Sequence, residues 1–133
     1  MKIKVMNLFV NDQEKALRLY TEKLGFQKKA DFTQGNFRWL TVVSAEEPNG
    51  VELVLQLASF LPPAQTFQQA LYAQKMPAVM FYVDDLHKEH ERLQALDVKF
   101  TQPPTKTTGS TIAMLDDGCG NLVQLTQLDA WAR

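Results

Sequence analysis

This sequence predicts an α+β fold made of two tandem copies of one small unit, and three observations carry that prediction. The first is a phrase that occurs twice. Val10-Asn11-Asp12 leads through a helix-like run to Leu24-Gly25-Phe26, and Val83-Asp84-Asp85 leads through another to Leu96-Asp97-Val98-Lys99-Phe100. Asp12 and Asp85 lie 73 residues apart in a chain of 133. The second is hydrophobic period: apolar residues alternate in the flanking runs and recur every three or four residues between them. The third is turn chemistry at matching places, Pro48-Asn49-Gly50 in one half and Asp116-Asp117-Gly118-Cys119-Gly120 in the other. Two copies of a unit usually share one site between them, so the duplication bears on function.

Residues 3–10 alternate and are predicted as a strand. Asp12 is an N-cap, followed by acidic Glu14 near the positive end of the helix. Leu17, Tyr20 and Leu24 fall at i, i+3 and i+7 and predict one buried stripe. Gly25 is the expected left-handed stop. Residues 37–44 and 51–58 read as strands joined by a hairpin at Asn49-Gly50, with a further short strand near 30–33. Pro62-Pro63 then opens an amphipathic helix over about 64–75, with Phe67 and Leu71 on its apolar face. The second half repeats the plan: strand 78–83, helix 85–96, and strands near 99–101, 110–115 and 121–127. The expected organisation is a single domain over 1–133, with a first module at 1–61, a connector helix at 62–76 and a second module at 77–133.

Composition narrows the class. The formal net charge is −1, and no basic run exceeds Lys28-Lys29, so nothing attracts nucleic acid by bulk electrostatics. The N-terminus is a charged strand pattern and not a signal peptide, and no apolar stretch reaches the roughly 20 residues of a membrane span. Cys119 is the single cysteine, which excludes an internal disulfide and fits a reducing compartment. A cytoplasmic protein without nucleic-acid or membrane partners is expected.

The strand faces point to a site. Side chains alternate across a sheet, so positions of one parity share a face. Met6, Leu8 and Val10; Leu53, Leu55 and Leu57; Val79, Phe81 and Val83; and Val123 with Leu125 form aliphatic faces, assigned to packing under helices. The opposite faces are mixed: Val5, Asn7 and Phe9; Glu52, Val54 and Gln56; Ala78, Met80 and Tyr82; Leu122, Gln124 and Thr126. Such a face can simply be solvated. Phe9, Met80 and Tyr82 suit open water poorly, whereas an apolar surface with a few polar groups suits a small-molecule pocket.

The run Phe-Val-Asn-Asp-Gln-Glu-Lys-Ala-Leu-Arg-Leu-Tyr-Thr-Glu-Lys-Leu-Gly-Phe over 9–26, the later Phe81-Tyr82-Val83-Asp84-Asp85-Leu86, and the acidic turn Asp117-Gly118-Cys119-Gly120-Asn121 resemble the vicinal oxygen chelate superfamily. Its members include glyoxalases, bleomycin- and fosfomycin-resistance proteins and extradiol dioxygenases. The resemblance implies two β-α-β-β-β modules whose mixed sheets form a cup, with the mixed faces inside. It also implies four metal-ligand positions, which spacing transfers to Val5, Gln56, Ala78 and Gln124. Two of these have no donor and two are neutral amides, poor partners for a divalent ion. No metal and no cofactor are therefore expected.

Other chemistry-bearing residues carry less. His87 and His90 lie on a helix outside the cup and lack the spacing of a zinc motif. Cys119 has no base beside it in sequence and is expected to be an idle surface thiol. Trp39 or Arg38 could stand at the cup rim, Trp39 to stack on a ligand and Arg38 to meet an anion; Trp39 could equally be a core anchor. The expected function is metal-independent binding of an unidentified small molecule by Val5, Asn7, Phe9, Trp39, Glu52, Val54, Gln56, Met80, Tyr82 and Gln124. The alternative is a metal-dependent lyase, isomerase or dioxygenase with an atypical site that includes Glu52, Gln56 and Gln124. Bleomycin-binding relatives show that such a cup can work without a metal. A homodimer is expected in either case, because two-module chains of this superfamily commonly pair.

Overall fold

The computed structural model describes residues 1–133. They form two compact units, Met1–Gln68 and Gln69–Arg133. In the first, strand β1 (Val5–Val10) and helix α1 (Gln13–Arg18) precede β2 (Gln27–Gln34), β3 (Phe37–Val43) and β4 (Glu52–Leu57). The sheet order is β1-β4-β3-β2, with β1 parallel to β4 and the others antiparallel. Helix α2 (Pro62–Ala73) contains the division between the units. In the second unit β5 (Pro77–Tyr82) and α3 (Leu86–Ala95) precede β6 (Lys99–Lys106), β7 (Ser110–Asp116) and β8 (Leu122–Leu128). Its order is β5-β8-β7-β6, again with one parallel pair. Each unit is a β-α-β-β-β module in a mixed four-stranded sheet, which is the α+β plan that the sequence predicts.

The repeat extends to register. Asn7 pairs with Val54 and Val54 with Thr41; in the second sheet Met80 pairs with Gln124 and Gln124 with Met114. Asn7 and Met80, like Thr41 and Met114, are 73 residues apart, the spacing of the two helix caps. Those caps have one geometry. Asp12 accepts from the Lys15 amide at 3.0 Å and Asp85 from the Lys88 amide at 3.2 Å, each satisfying an orphan N–H of the first turn.

The aliphatic faces supply much of the core. Leu8, Val10 and Leu55 are buried with Ala16 and Tyr20 of the first helical segment, and Val123 and Leu125 are buried in the unit that also buries Leu86 and Leu93. Each large apolar side chain buried in this way contributes about 1.5–3 kcal/mol. Met6 departs from the expectation at 56% exposed, near the start of the edge strand β1.

Several local expectations need correction. The first helix does not run evenly to Leu24: after Arg18 it widens into a π-helical turn, Leu19–Lys23, closed by the Leu24 amide donating to the Leu19 carbonyl. The wider turn changes the angular spacing of side chains. Ala16 and Tyr20 are the buried residues there, while Leu17 and Leu24 are only half-buried. The tight two-residue hairpin lies at Gly35-Asn36, between paired Gln34 and Phe37, and Gly35 has a φ of 63°. Asn49-Gly50 belongs instead to a longer loop, where the Gly50 amide donates to the Glu47 carbonyl at 2.9 Å. In α2 the buried residue is Gln68, whose amide donates to the Phe9 carbonyl at 2.9 Å, and Phe67 is 58% exposed. Strand β6 continues through Pro103 and Pro104, which lack a donor; its position at the sheet edge permits this. Cys119 is wholly buried and not a surface thiol.

All three helical segments stop on a left-handed residue, Gly25, Lys75 and Asp97, with φ of 89°, 59° and 63°. At α3 the Val98 amide donates to the Leu93 carbonyl and the Asp97 amide to the Gln94 carbonyl, the paired bonds of a Schellman stop. An L side chain is disfavoured in this conformation, and a carboxylate opposes the helix dipole there. Asp97→Gly is expected to stabilise the protein by about 0.5–1 kcal/mol, read as a rise of roughly 2 °C in Tm. An unchanged or lower Tm would count against this account of the stop.

On α1 and the adjoining strands, Arg38 pairs with Asp31 at 2.9 Å and with Glu14 at 2.8 Å. The Arg38 hydrogen bond holds the Asp31 carboxyl below its ordinary 3.8, and Asp31 in turn raises the Arg38 guanidinium. A depressed folded-state pKa gives stability that is present above the unfolded value and lost as pH falls through the folded one. Arg38→Met is therefore expected to cost about 1 kcal/mol at neutral pH and progressively less below pH 3.8. Urea midpoints across that range test it, and a cost that does not change with acid would refute the pairing. Arg38 is thus occupied, which corrects its expected role as an anion contact at a rim.

Candidate functional site: a mixed sheet face and a cavity

The first sheet brings seven of the expected site residues onto one face. Val5 pairs with Glu52, Asn7 with Val54 and Phe9 with Gln56, and Trp39 shares its side of β3 with Thr41, the partner of Val54. Burial on this face is uneven. Asn7 is exposed and Val5 is 42% exposed, Phe9, Trp39, Glu52 and Gln56 are half-buried, and Val54 is fully buried. The Thr41 hydroxyl donates to Glu52 Oε1 at 2.7 Å and accepts from the Ala30 amide at 3.1 Å, so this carboxylate is oriented from inside its own sheet.

The other three expected residues share a face of the second sheet. Met80 pairs with Gln124 and Tyr82 with Thr126. Met80 and Tyr82 are 56% and 65% exposed, while the Gln124 amide donates to the Thr126 hydroxyl at 3.1 Å. Alternation also puts Ala78 here, but a register irregularity lies between Pro77 and Val79.

Beside Gln124 the second unit has a cavity of about 550 Å³ that sequence reasoning missed. Tyr72, Ala73 and Lys75 at the end of α2, Thr101 and Gln102 of β6, Met114 of β7 and Leu122 of β8 line it. Met114 is the cross-strand partner of both Gln124 and Gln102, which joins the cavity to the expected face. A volume of this size suits one drug-sized molecule, and Met, Leu and Tyr walls with one amide and one hydroxyl are the usual composition of such pockets. The Tyr72 hydroxyl donates to Asp116 Oδ2 at 2.5 Å, and Asp116 Oδ1 accepts from the Gly118 amide at 2.8 Å. Hydrogen bonding to this carboxylate raises the phenol above its usual range and keeps Tyr72 neutral. The parity of Gln102 with Met114 was the available signal, but the prolines of β6 obscured that strand.

Comparison with known proteins decides the family. The family model described as the Glyoxalase/Bleomycin resistance protein/Dioxygenase superfamily matches residues 2–125. The chain belongs to this superfamily. It is 48% identical over 127 residues to the uncharacterised protein YurT of Bacillus subtilis (strain 168), covering 96% of this chain and 99% of that protein. Among solved structures, UcmS2 matches with a TM-score of 0.81 and 32% identity, over 95% of this chain and 97% of the other. TnmS3, an antibiotic-binding protein from Streptomyces sp. CB03234, matches with a TM-score of 0.73 and 26% identity, over 97% of each.

Superfamily membership raises the question of whether the donor set fits a metal. Gln124 is the partner of Met80, and the matching position opposite Asn7 is Val54 and not Gln56. The repeat makes Val54 the counterpart of Gln124 and Thr126 the counterpart of Gln56. Of the four positions that the resemblance implies, Val5 and Ala78 have no donor atom, and Gln56 and Gln124 are neutral amides, the nitrogen of Gln124 donating to Thr126. No group of three His, Cys, Asp or Glu residues is placed to hold an ion. His87 is exposed, and the half-buried His90 ring meets Phe100 edge-on at 4.5 Å. These residues do not fit a divalent metal.

Proposed function

We propose that this protein is a metal-independent small-molecule-binding protein, with sequestration as its simplest activity. The observation that carries this is the lack of strong metal donors at Val5, Gln56, Ala78 and Gln124, the positions that the family resemblance implies, in a chain whose second unit keeps a drug-sized apolar cavity. The antibiotic-binding neighbour TnmS3 supports it as a relative of the same fold. Met114, Leu122 and the Tyr72 ring cover the ligand, and Gln102 and Thr101 orient its polar groups. Val5, Asn7, Phe9, Trp39, Glu52, Gln56, Met80 and Tyr82 are proposed as further ligand contacts, with Val54 as a buried support beneath the first face.

Two measurements test this. In a thermal-shift screen of metal-free protein, at least one ring-containing small molecule is expected to raise Tm in a saturable way. Elemental analysis of the purified protein is expected to find no stoichiometric Ni, Zn, Mn or Fe. Stoichiometric metal that disappears in Glu52→Ala would favour the lyase, isomerase or dioxygenase alternative, since Glu52 stands opposite Val5.

We further propose that the chain acts in the cytoplasm as a homodimer. The edge positions of β1 and β5 and the exposure of Met80, Tyr82 and Phe32 support pairing, because uncovered strand edges and apolar groups favour a partner. No helix is long and apolar enough to cross a membrane. Light scattering coupled to size exclusion is expected to give twice the 15.1 kDa chain mass, and a monomer at micromolar concentration would refute the dimer.

A further inference from the structure

Lys75 is the one formally charged residue among those lining the cavity. The ion pairs of the chain use Arg18, Lys28, Arg38, Arg92 and Lys106, and Lys75 takes part in none. The nearby Asp116 carboxylate already accepts from Tyr72 and Gly118, and Tyr72 is held neutral. The backbone supplies a second, independent observation. The Met76 amide donates to the Leu71 carbonyl and the Lys75 amide to the Tyr72 carbonyl, so Lys75 occupies the left-handed position of a Schellman stop, with φ of 59°. The first helical segment has Gly25 at its own stop, and glycine has no Cβ for that conformation to disfavour. Lys75 thus stands in a fixed left-handed stop at the wall of the cavity.

We propose that Lys75 selects the ligand class: a flat aromatic or polycyclic molecule carrying an acidic oxygen group, such as a carboxylate, sulfonate or ionised phenol. The apolar body lies against Met114, Leu122 and the Tyr72 ring, and the acidic group pairs with the Lys75 ammonium. Lys75 is exposed at the cavity wall, so its ammonium can meet an anion there, and removal of the ammonium affects anionic ligands alone. This inference rests on the cavity as the binding site, and the test separates the two.

The probes are 1-anilinonaphthalene-8-sulfonate and its uncharged analogue N-phenyl-1-naphthylamine, titrated by fluorescence into the full chain at low salt. Lys75→Met is expected to weaken the sulfonate roughly 10-fold while leaving the uncharged probe within about twofold, and Lys75→Arg is expected to retain sulfonate binding. Added salt should narrow the gap between wild type and Lys75→Met for the sulfonate only. Lys75→Gly should lose sulfonate affinity without losing Tm, because glycine relieves the left-handed stop; this separates ligand pairing from damage to the fold. Equal effects of Lys75→Met on both probes, or none on either, overturn the ligand class. If Met114→Trp, which fills the cavity, leaves both probes bound as before, the cavity is not the site and the inference falls with it.

Discussion

Asp117→Ala is expected to cost about 3–5 kcal/mol, much of the 5–15 kcal/mol that typically holds a domain folded. Asp117 is almost fully buried, as are Asn121 and Cys119 beside it. Its Oδ1 accepts from the amides of Cys119 at 2.7 Å and Asn121 at 3.0 Å, and its Oδ2 accepts from the Asn121 side-chain amide at 2.9 Å. Alanine removes the acceptor but leaves those N–H groups buried, and each orphaned donor costs about 1–3 kcal/mol. The Asp117 amide also donates to the Asn121 carbonyl at 3.1 Å, so the carboxylate holds a closed loop that sets where β8 begins. Asp117→Asn keeps the shape and one good acceptor and should cost about half as much. Urea unfolding midpoints measure both variants. A loss under 1 kcal/mol for Asp117→Ala would mean that water replaces the carboxylate and that the loop is not a structural keystone.

Met114→Trp should have the largest effect on binding, a loss of roughly 10- to 100-fold, or about 1.4–2.7 kcal/mol, with little change in stability. Met114 sits between Gln102 and Gln124 on the sheet and lines the cavity. A larger residue in a packed core costs about 1–3 kcal/mol. Here the side chain is only half-buried and faces open volume, so the indole fills space that a ligand would use. Met114→Ala makes the complementary change: it widens the cavity and removes one apolar wall, and should weaken a well-fitting ligand less than Trp does. Isothermal titration with the best compound from the thermal-shift screen, together with Tm for each variant, separates occlusion from misfolding. Unchanged affinity in Met114→Trp would place the ligand elsewhere on the sheets.

Both predictions depend on features of different legibility. The acidic turn before β8 could be seen in sequence, because Asp and Gly cluster between two apolar runs. That its second carboxylate and its cysteine are buried could not, because their hydrogen-bond partners and cover come from packing. The cavity was less legible still. Its residues come from α2, β6, β7 and β8, and β6 contains Pro103-Pro104, which read as the end of a strand. Edge position makes those prolines tolerable, and strand order is a tertiary property. The π-helical turn at Leu19–Lys23 escaped because helical period assumes even winding.

What the sequence determined by itself is the duplicated α+β plan. Local signals suffice for it: Asp12 and Asp85 satisfy the first-turn amides of their own helices, alternating side chains assign strand faces, and the two halves keep the same spacing. The tertiary structure alone decided register. Pairing Asn7 with Val54 and Met80 with Gln124 makes Val54 the counterpart of Gln124, and pairing Phe9 with Gln56 and Tyr82 with Thr126 makes Thr126 the counterpart of Gln56, because a shift of two residues along a strand keeps the face but moves the side chain nearly 7 Å. Alternation fixes which way a side chain points and leaves open what stands opposite it. That second quantity depends on the hydrogen bonds between strands distant in sequence, which local signals do not fix.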